Sequence, residues 1–129
     1  MKKSFLLLLL LLTMLQAWSQ DVKESLDAKT FKSKLDATPN SVLLDVRTPE
    51  EVSKGTIPGA INIDFNNPDF EAKIEALDKT KIYFVYCAKG GRSSQAVDRM
   101  NAAGFTKIYN LTDGIVGWKE SGLPVTKRK

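Results

Sequence analysis

Two apolar runs, Ser41 to Val46 and Lys81 to Tyr86, constrain this chain more than any other feature, because inside them apolar residues follow one another without polar alternation. A strand with that pattern must be covered on both faces, the situation of strands inside a parallel sheet. Parallel neighbours need a crossover, and the chain between such runs carries helix patterns of suitable length. The reading is an α/β domain with a mostly parallel central sheet flanked by helices.

The remaining segments fit that frame. Val22 to Leu26 reads as a strand, and Asp27 caps a helix over Ala28 to Asp36 with Phe31 and Leu35 on one face. Thr48-Pro49-Glu50-Glu51 carries a helix start: a threonine cap, proline at the first helical position and glutamate three after the cap. Gly55 ends that helix, Ile57-Pro58-Gly59-Ala60 turns, and Ala60 to Ile63 alternates as a brief strand. A helix over Asp69 to Leu77 follows Asn67-Pro68. After the second apolar run a helix is expected from about Ser93 to Ala103, stopped by Gly104. Lys107 to Leu111 forms the last strand, and Asp113 to Trp118 turns into a short helix that brings Trp118 to the core.

The first residues are expected to stand outside this domain. Met1-Lys2-Lys3 is basic, Phe5 to Leu15 is leucine-rich, and Ala17 and Ser19 supply small residues before a cut, the layout of a secretory signal over 1–19. The apolar stretch falls short of the ~20 residues of a membrane-spanning helix. Cleavage after Ser19 would leave a domain over 20–129, exported to a periplasmic or secreted location, with no stable membrane insertion. Loss of Lys2 and Lys3 leaves 17 basic residues against 15 acidic ones, so the mature chain is nearly neutral. Mixed charges without an aromatic-lined basic stripe give no nucleic-acid partner, and Lys127-Arg128-Lys129 reads as a solvated terminus.

The chain has one cysteine and no histidine. No internal disulfide can form, and the ligand set of a zinc site is missing, so neither a metal nor a cofactor is expected. An exported lone cysteine is buried and inert, joined to another molecule, or kept because it reacts. Its context favours reaction. Cys87 lies at the carboxyl end of an expected buried strand, and Ala88-Lys89-Gly90-Gly91-Arg92-Ser93 leads from it into a helix. Backbone N–H groups of such a loop, with the positive end of the helix, hold an anion, so the thiolate can be stabilised without an imidazole. Lys89 and Arg92 face either a substrate or solvent and the helix carboxylates.

Cys87-Ala88-Lys89-Gly90-Gly91-Arg92-Ser93 resembles the active-site loop of the rhodanese family in its single-domain form, C-x-x-G-x-R-S. Asp45 to Glu51, Gly55 to Asn62 and Asp113 to Trp118 agree with the family in the same order. The resemblance implies a three-layer domain around a five-stranded sheet. It also implies a sulfurtransferase in which Cys87 takes a sulfane sulfur from a donor such as thiosulfate, forms a persulfide and passes the sulfur to a thiol or cyanide. Ala88, Lys89, Gly90, Gly91, Arg92 and Ser93 would bind the substrate, with Lys89 and Arg92 providing positive field, and Asp45 and Arg47 resemble a structural polar pair. Thr56, Val52 and Ala88 depart from the family's usual histidine, aromatic and arginine.

Related phosphatase loops place arginine six positions after cysteine, where this chain has Ser93, so phosphatase activity ranks low. The competing reading is an exported sulfur carrier or binding module for a redox protein partner, with little turnover of its own, since an accessible thiol outside the cytoplasm is readily captured in a mixed disulfide.

Overall fold

The computed structural model describes residues 21–127. The signal segment expected over 1–19 lies outside the described residues. Ten elements alternate along the chain: β1 (Val22–Leu26), α1 (Ala28–Asp36), β2 (Val42–Asp45), α2 (Pro49–Ser53), β3 (Ile61–Asn62), α3 (Phe70–Glu75), β4 (Tyr83–Tyr86), α4 (Gly91–Ala102), β5 (Lys107–Leu111) and α5 (Gly114–Glu120).

Local chemistry accounts for most of the boundaries. The Asp27 carboxylate accepts from the Thr30 N–H at 2.8 Å, which starts α1. Thr48 and Glu51 form the reciprocal capping box of α2, with Pro49 in the first turn. Four elements are shorter than expected: β2 keeps Val42–Asp45 of the run from Ser41 to Val46, and β4 keeps Tyr83–Tyr86 of the run from Lys81 to Tyr86. The third strand keeps only Ile61 and Asn62, and α3 is trimmed to Phe70–Glu75, whose buried residues are Phe70 and Ile74. The larger shift is at α4, which begins at Gly91 rather than near Ser93, so Arg92 and Ser93 occupy its first turn.

The five strands form one sheet in the order β1-β5-β4-β2-β3. Every pairing is parallel, with Leu44 opposite Val85 and Ile61, and Val85 opposite Asn110. Because side chains alternate across a strand, β4 sorts its residues into two layers. Tyr83, Val85 and Cys87 pack with Ala96, Val97 and Met100 of α4 and with Phe70 and Ile74 of α3. Phe84 and Tyr86 pack on the opposite face with Phe31 of α1 and Ile115 and Trp118 of α5. The apolar runs are therefore continuous because both faces of their strands are core.

The strand order also places a crevice. After β2 the chain moves outward to β3, whereas after β4 it moves the other way to β5. Loops leaving the carboxyl ends of these adjacent strands therefore diverge, and such a switch point is where open α/β sheets bind ligands. Residues 46–48 and 87–90 flank it.

Candidate active site

Cys87 is the first residue beyond β4 and is 1% exposed. Its side chain belongs to the layer beneath α4, so the strand's alternation aims the sulfur toward the first turn of that helix. The Gly90 N–H donates to Sγ at 3.1 Å. The Ser93 hydroxyl reaches Sγ at 3.3 Å and the Gly90 carbonyl at 3.2 Å, one proton with two acceptors. Burial pushes the thiol pKa up. Hydrogen bonds from the Ser93 hydroxyl and from the N–H groups of Ser93, Gly90 and Lys89 outweigh it, so the thiol lies below its ordinary value. The first intrahelical bond of α4 runs from the Ser94 N–H to the Gly90 carbonyl, which leaves the N–H groups before Ser94 outside the helical ladder.

Two glycines allow this loop to close. Gly90, the cap of α4, has φ +101°, and a Cβ there would stand 2.0 Å from the Thr112 carbonyl oxygen. Gly114 has φ +61°, and its Cβ would meet the Ala88 carbonyl oxygen at 2.2 Å. The turn after β5 and the loop after β4 are thus interlocked backbone to backbone. The Ile115 and Val116 N–H groups complete the lock by donating to the carbonyls of Cys87 and Ala88 at 2.9 and 3.1 Å. The first turn of α5 therefore fixes the loop backbone, while the first turn of α4 serves the sulfur.

The other residues singled out in the sequence occupy different surroundings. Ala88 is half-buried, Lys89 is exposed with no ion-pair partner among the described residues, and Gly91 is exposed with open space where a Cβ would be. Ser93 is fully buried against the sulfur. Arg92 turns to the β2 side of the crevice, where its Nη1 and Nη2 donate to the two Glu51 carboxylate oxygens at 2.7 and 2.9 Å. Glu51 also accepts from the Thr48 N–H at 3.3 Å and the Thr48 hydroxyl at 3.1 Å. The Arg92 hydrogen bonds, helped by those from Thr48, hold the Glu51 pKa down at about 2 against the pull of partial burial. Glu51 is the residue that sequence reasoning passed over at this site. Its capping role was legible, but its second partner lies 41 positions away.

Beneath this pair lies a second, buried one. Asp45 is fully buried and Arg47 4% exposed. The Arg47 guanidinium gives Asp45 a bidentate contact, with Nη2 to Oδ2 at 2.7 Å and Nε to Oδ1 at 3.0 Å, and Nη2 also donates to the Gly55 carbonyl at 2.7 Å. Asn62 fastens the same turn by donating to the Asp45 and Arg47 carbonyls at 2.9 Å. Arg47 thus belongs to the loop scaffold. Among the described residues, no group of carboxylates and cysteine has the arrangement of a metal site, and no helix is long and apolar enough to cross a membrane.

The sequence family described as the rhodanese-like domain matches residues 27–121, an interval that runs from the α1 cap to the end of α5 and contains the whole cysteine loop. The chain belongs to the rhodanese-like domain family. A sulfurtransferase of Allochromatium vinosum is 30% identical over 100 residues, covering 78% of this chain and 92% of its own. The chloroplastic thiosulfate sulfurtransferase 16 of Arabidopsis thaliana is 37% identical over 91 residues, 63% of this chain and 76% of its own. A crystal structure of a rhodanese-related protein from Thermoplasma volcanium superimposes with a TM-score of 0.72 at 32% identity, covering 82% of this chain and all of the other. These relatives place the chain among rhodanese-like sulfurtransferases.

In this rhodanese-like domain the departures expected from the sequence fall away from the sulfur. Val52 is core, and Thr56 is buried where its N–H donates to the Thr126 carbonyl at 2.7 Å. Only Ala88 adjoins the cysteine, and it contributes a carbonyl to the α5 lock rather than a cation to the cradle.

Proposed function

We propose that Cys87 carries sulfur as a persulfide between a sulfane donor such as thiosulfate and a thiol or cyanide acceptor. One observation bears most of the weight: a buried sulfur accepts hydrogen bonds from the Gly90 N–H and the Ser93 hydroxyl, its pKa lies below the ordinary thiol value, and the chain has no histidine to act as base. Such a thiolate is the attacking form. It attacks the outer sulfur of thiosulfate, the new S–S bond forms as the old one breaks, and sulfite leaves with the bonding pair. Cyanide or a thiolate then takes the outer sulfur of the persulfide, which returns Cys87 to its thiolate. The charge on the terminal persulfide sulfur is met by the same N–H groups that met the thiolate.

The test is direct. Purified protein incubated with thiosulfate should gain one sulfur by intact mass, and cyanide should remove it as thiocyanate. Cys87→Ser should retain the fold while losing both the adduct and all measurable turnover. A wild-type protein that takes up no sulfur from any sulfane donor would overturn the reading.

A second reading is favoured by the engagement of Arg92 with Glu51, which leaves Lys89 as the loop's unpaired cation among the described residues. In that reading the domain is a carrier that receives sulfur from a protein or a less charged donor and hands it to a redox partner, with slow thiosulfate turnover. Export remains part of both proposals. The chain is proposed to lose 1–19 and to work in a periplasmic or secreted setting, which N-terminal sequencing of the mature protein would check by finding Gln20 first.

A further inference from the structure

We propose that Glu51 is a specificity-determining residue that lowers the domain's preference for doubly charged sulfur donors by neutralising Arg92 at the mouth of the cysteine cradle. The inference rests on the sulfur-transfer reading above and deepens it by naming what selects the donor.

Three features carry it. Arg92 sits in the first turn of α4, one residue before Ser93, so its charge is fixed to the element whose cap N–H and Ser93 hydroxyl meet the sulfur. The guanidinium makes a two-point contact with Glu51, and both partners keep part of their surface in solvent, at 26% and 31% side-chain exposure. Glu51 is itself held from behind by the Thr48 N–H and hydroxyl, so the carboxylate is a fixed feature of α2 rather than a mobile surface acid. The pair bridges the two sides of the switch-point crevice. An anionic donor approaching Cys87 therefore meets an arginine whose charge is already balanced.

Charge acts on a ligand in proportion to the ligand's own charge. Removing the Glu51 charge should therefore help a dianion more than a monoanion carrying the same reacting sulfur. Thiosulfate and methanethiosulfonate are such a pair. Each presents an outer sulfur bonded to a hexavalent one, and each loses a sulfur oxyanion as the persulfide forms, sulfite in the first case and methanesulfinate in the second. Glu51→Gln is the appropriate variant, because glutamine still fills the capping box and still offers an oxygen to Arg92.

The measurement is the ratio of kcat/KM for thiosulfate to that for methanethiosulfonate, in wild type and in Glu51→Gln. The ratio should rise about fivefold on substitution, the order expected for one unit of charge at a partly solvated site. The rise should reside mainly in the thiosulfate KM and shrink in high salt. Equal changes for both donors would mean that Glu51 acts only through structure, and a fall in the ratio would reverse the proposed sign; either overturns the proposal. A second readout does not depend on sulfur transfer. The rate of Cys87 alkylation by anionic iodoacetate relative to neutral iodoacetamide should also rise about fivefold in the variant. If wild type takes up no sulfur from any donor while this alkylation ratio still rises, the sulfur-transfer reading fails and the charge effect stands; an unchanged alkylation ratio in a folded variant overturns the role of Glu51.

Discussion

The turns after β2 and β4 leave neighbouring parallel strands at the same end of the sheet, yet they satisfy charge in opposite ways. After β2, side chains supply the partners: Asp45 is buried against Arg47, and the Thr48 and Glu51 side chains each accept the other's backbone N–H to cap the helix. After β4, a single sulfur is answered by the backbone of its own loop and one hydroxyl, and the helix is capped by a left-handed glycine with no side-chain bond. The difference is instructive. A closed ion pair is inert because each charge already has its partner, whereas a cradle of N–H donors stabilises whatever negative charge the sulfur carries, as thiolate or as persulfide. One turn is scaffold and the other is chemistry, although their strand-to-helix geometry is shared.

The strongest way to break that comparison is to open the buried pair. Asp45→Ala should cost about 3–5 kcal/mol of unfolding free energy, because it strands the Arg47 charge in the core. Denaturant titration would measure it. In the fraction that remains folded, the thiolate pKa of Cys87 should be nearly that of wild type. A large pKa change there would show that the two turns are electrostatically one site.

Ser93→Ala tests the other side. Ser93 is fully buried, but among the described residues its hydroxyl has only the sulfur and the Gly90 carbonyl as partners, so stability should change by about 1 kcal/mol or less. The Cys87 pKa should rise, since the first of the hydrogen bonds that lower it is gone. Sulfur uptake at neutral pH should slow about tenfold, the equivalent of one hydrogen bond of ~1.4 kcal/mol to a charged sulfur. Thiolate absorbance across a pH titration would follow the pKa. Slow uptake with an unmoved pKa would assign Ser93 to the donor instead of to the sulfur.

The smallest effect concerns the bridge between the turns. The Glu51 pKa falls from its ordinary 4.5 to about 2 on folding, so its pairing stabilises the protein fully above pH 4.5 and loses that contribution as pH falls toward 2. Wild type should therefore exceed Glu51→Gln in stability at neutral pH by a modest amount, because the pair is partly solvated and screened. The gap should close between about pH 4.5 and 2, which thermal melts of both proteins across that range would follow. A gap independent of pH would mean that capping geometry, rather than charge, accounts for it.

Much of this molecule was legible one segment at a time. The caps of α1 and α2, the buried runs of β2 and β4 and the extent of β5 follow from neighbours a few residues apart. So does the arrival of Cys87 at a strand end. The start of α4 was misplaced by two residues because Gly91 carries a weak helix propensity, and what decides the boundary is Gly90, held in a left-handed conformation beneath the Thr112 carbonyl. The identity of Cys87 as the residue worth watching was plain; the identity of its nearest donors, Gly90 and Ser93, depended on where that helix begins.

By itself, the sequence determined the alternation of strand and helix, the two-sided burial of the inner strands, and the presence of one thiol without an imidazole to activate it. Those properties are local or compositional. Tertiary structure alone decided that β2 and β4 lie side by side and diverge there, and with that, that Arg92 meets Glu51 rather than standing free beside the sulfur. It also decided that Gly114 fits against Ala88 and Gly90 against Thr112. The physical reason is range. Helix caps and strand burial are written in residues a few positions apart, whereas the partner of a charge at a strand end is set by which strand the sheet places next to it.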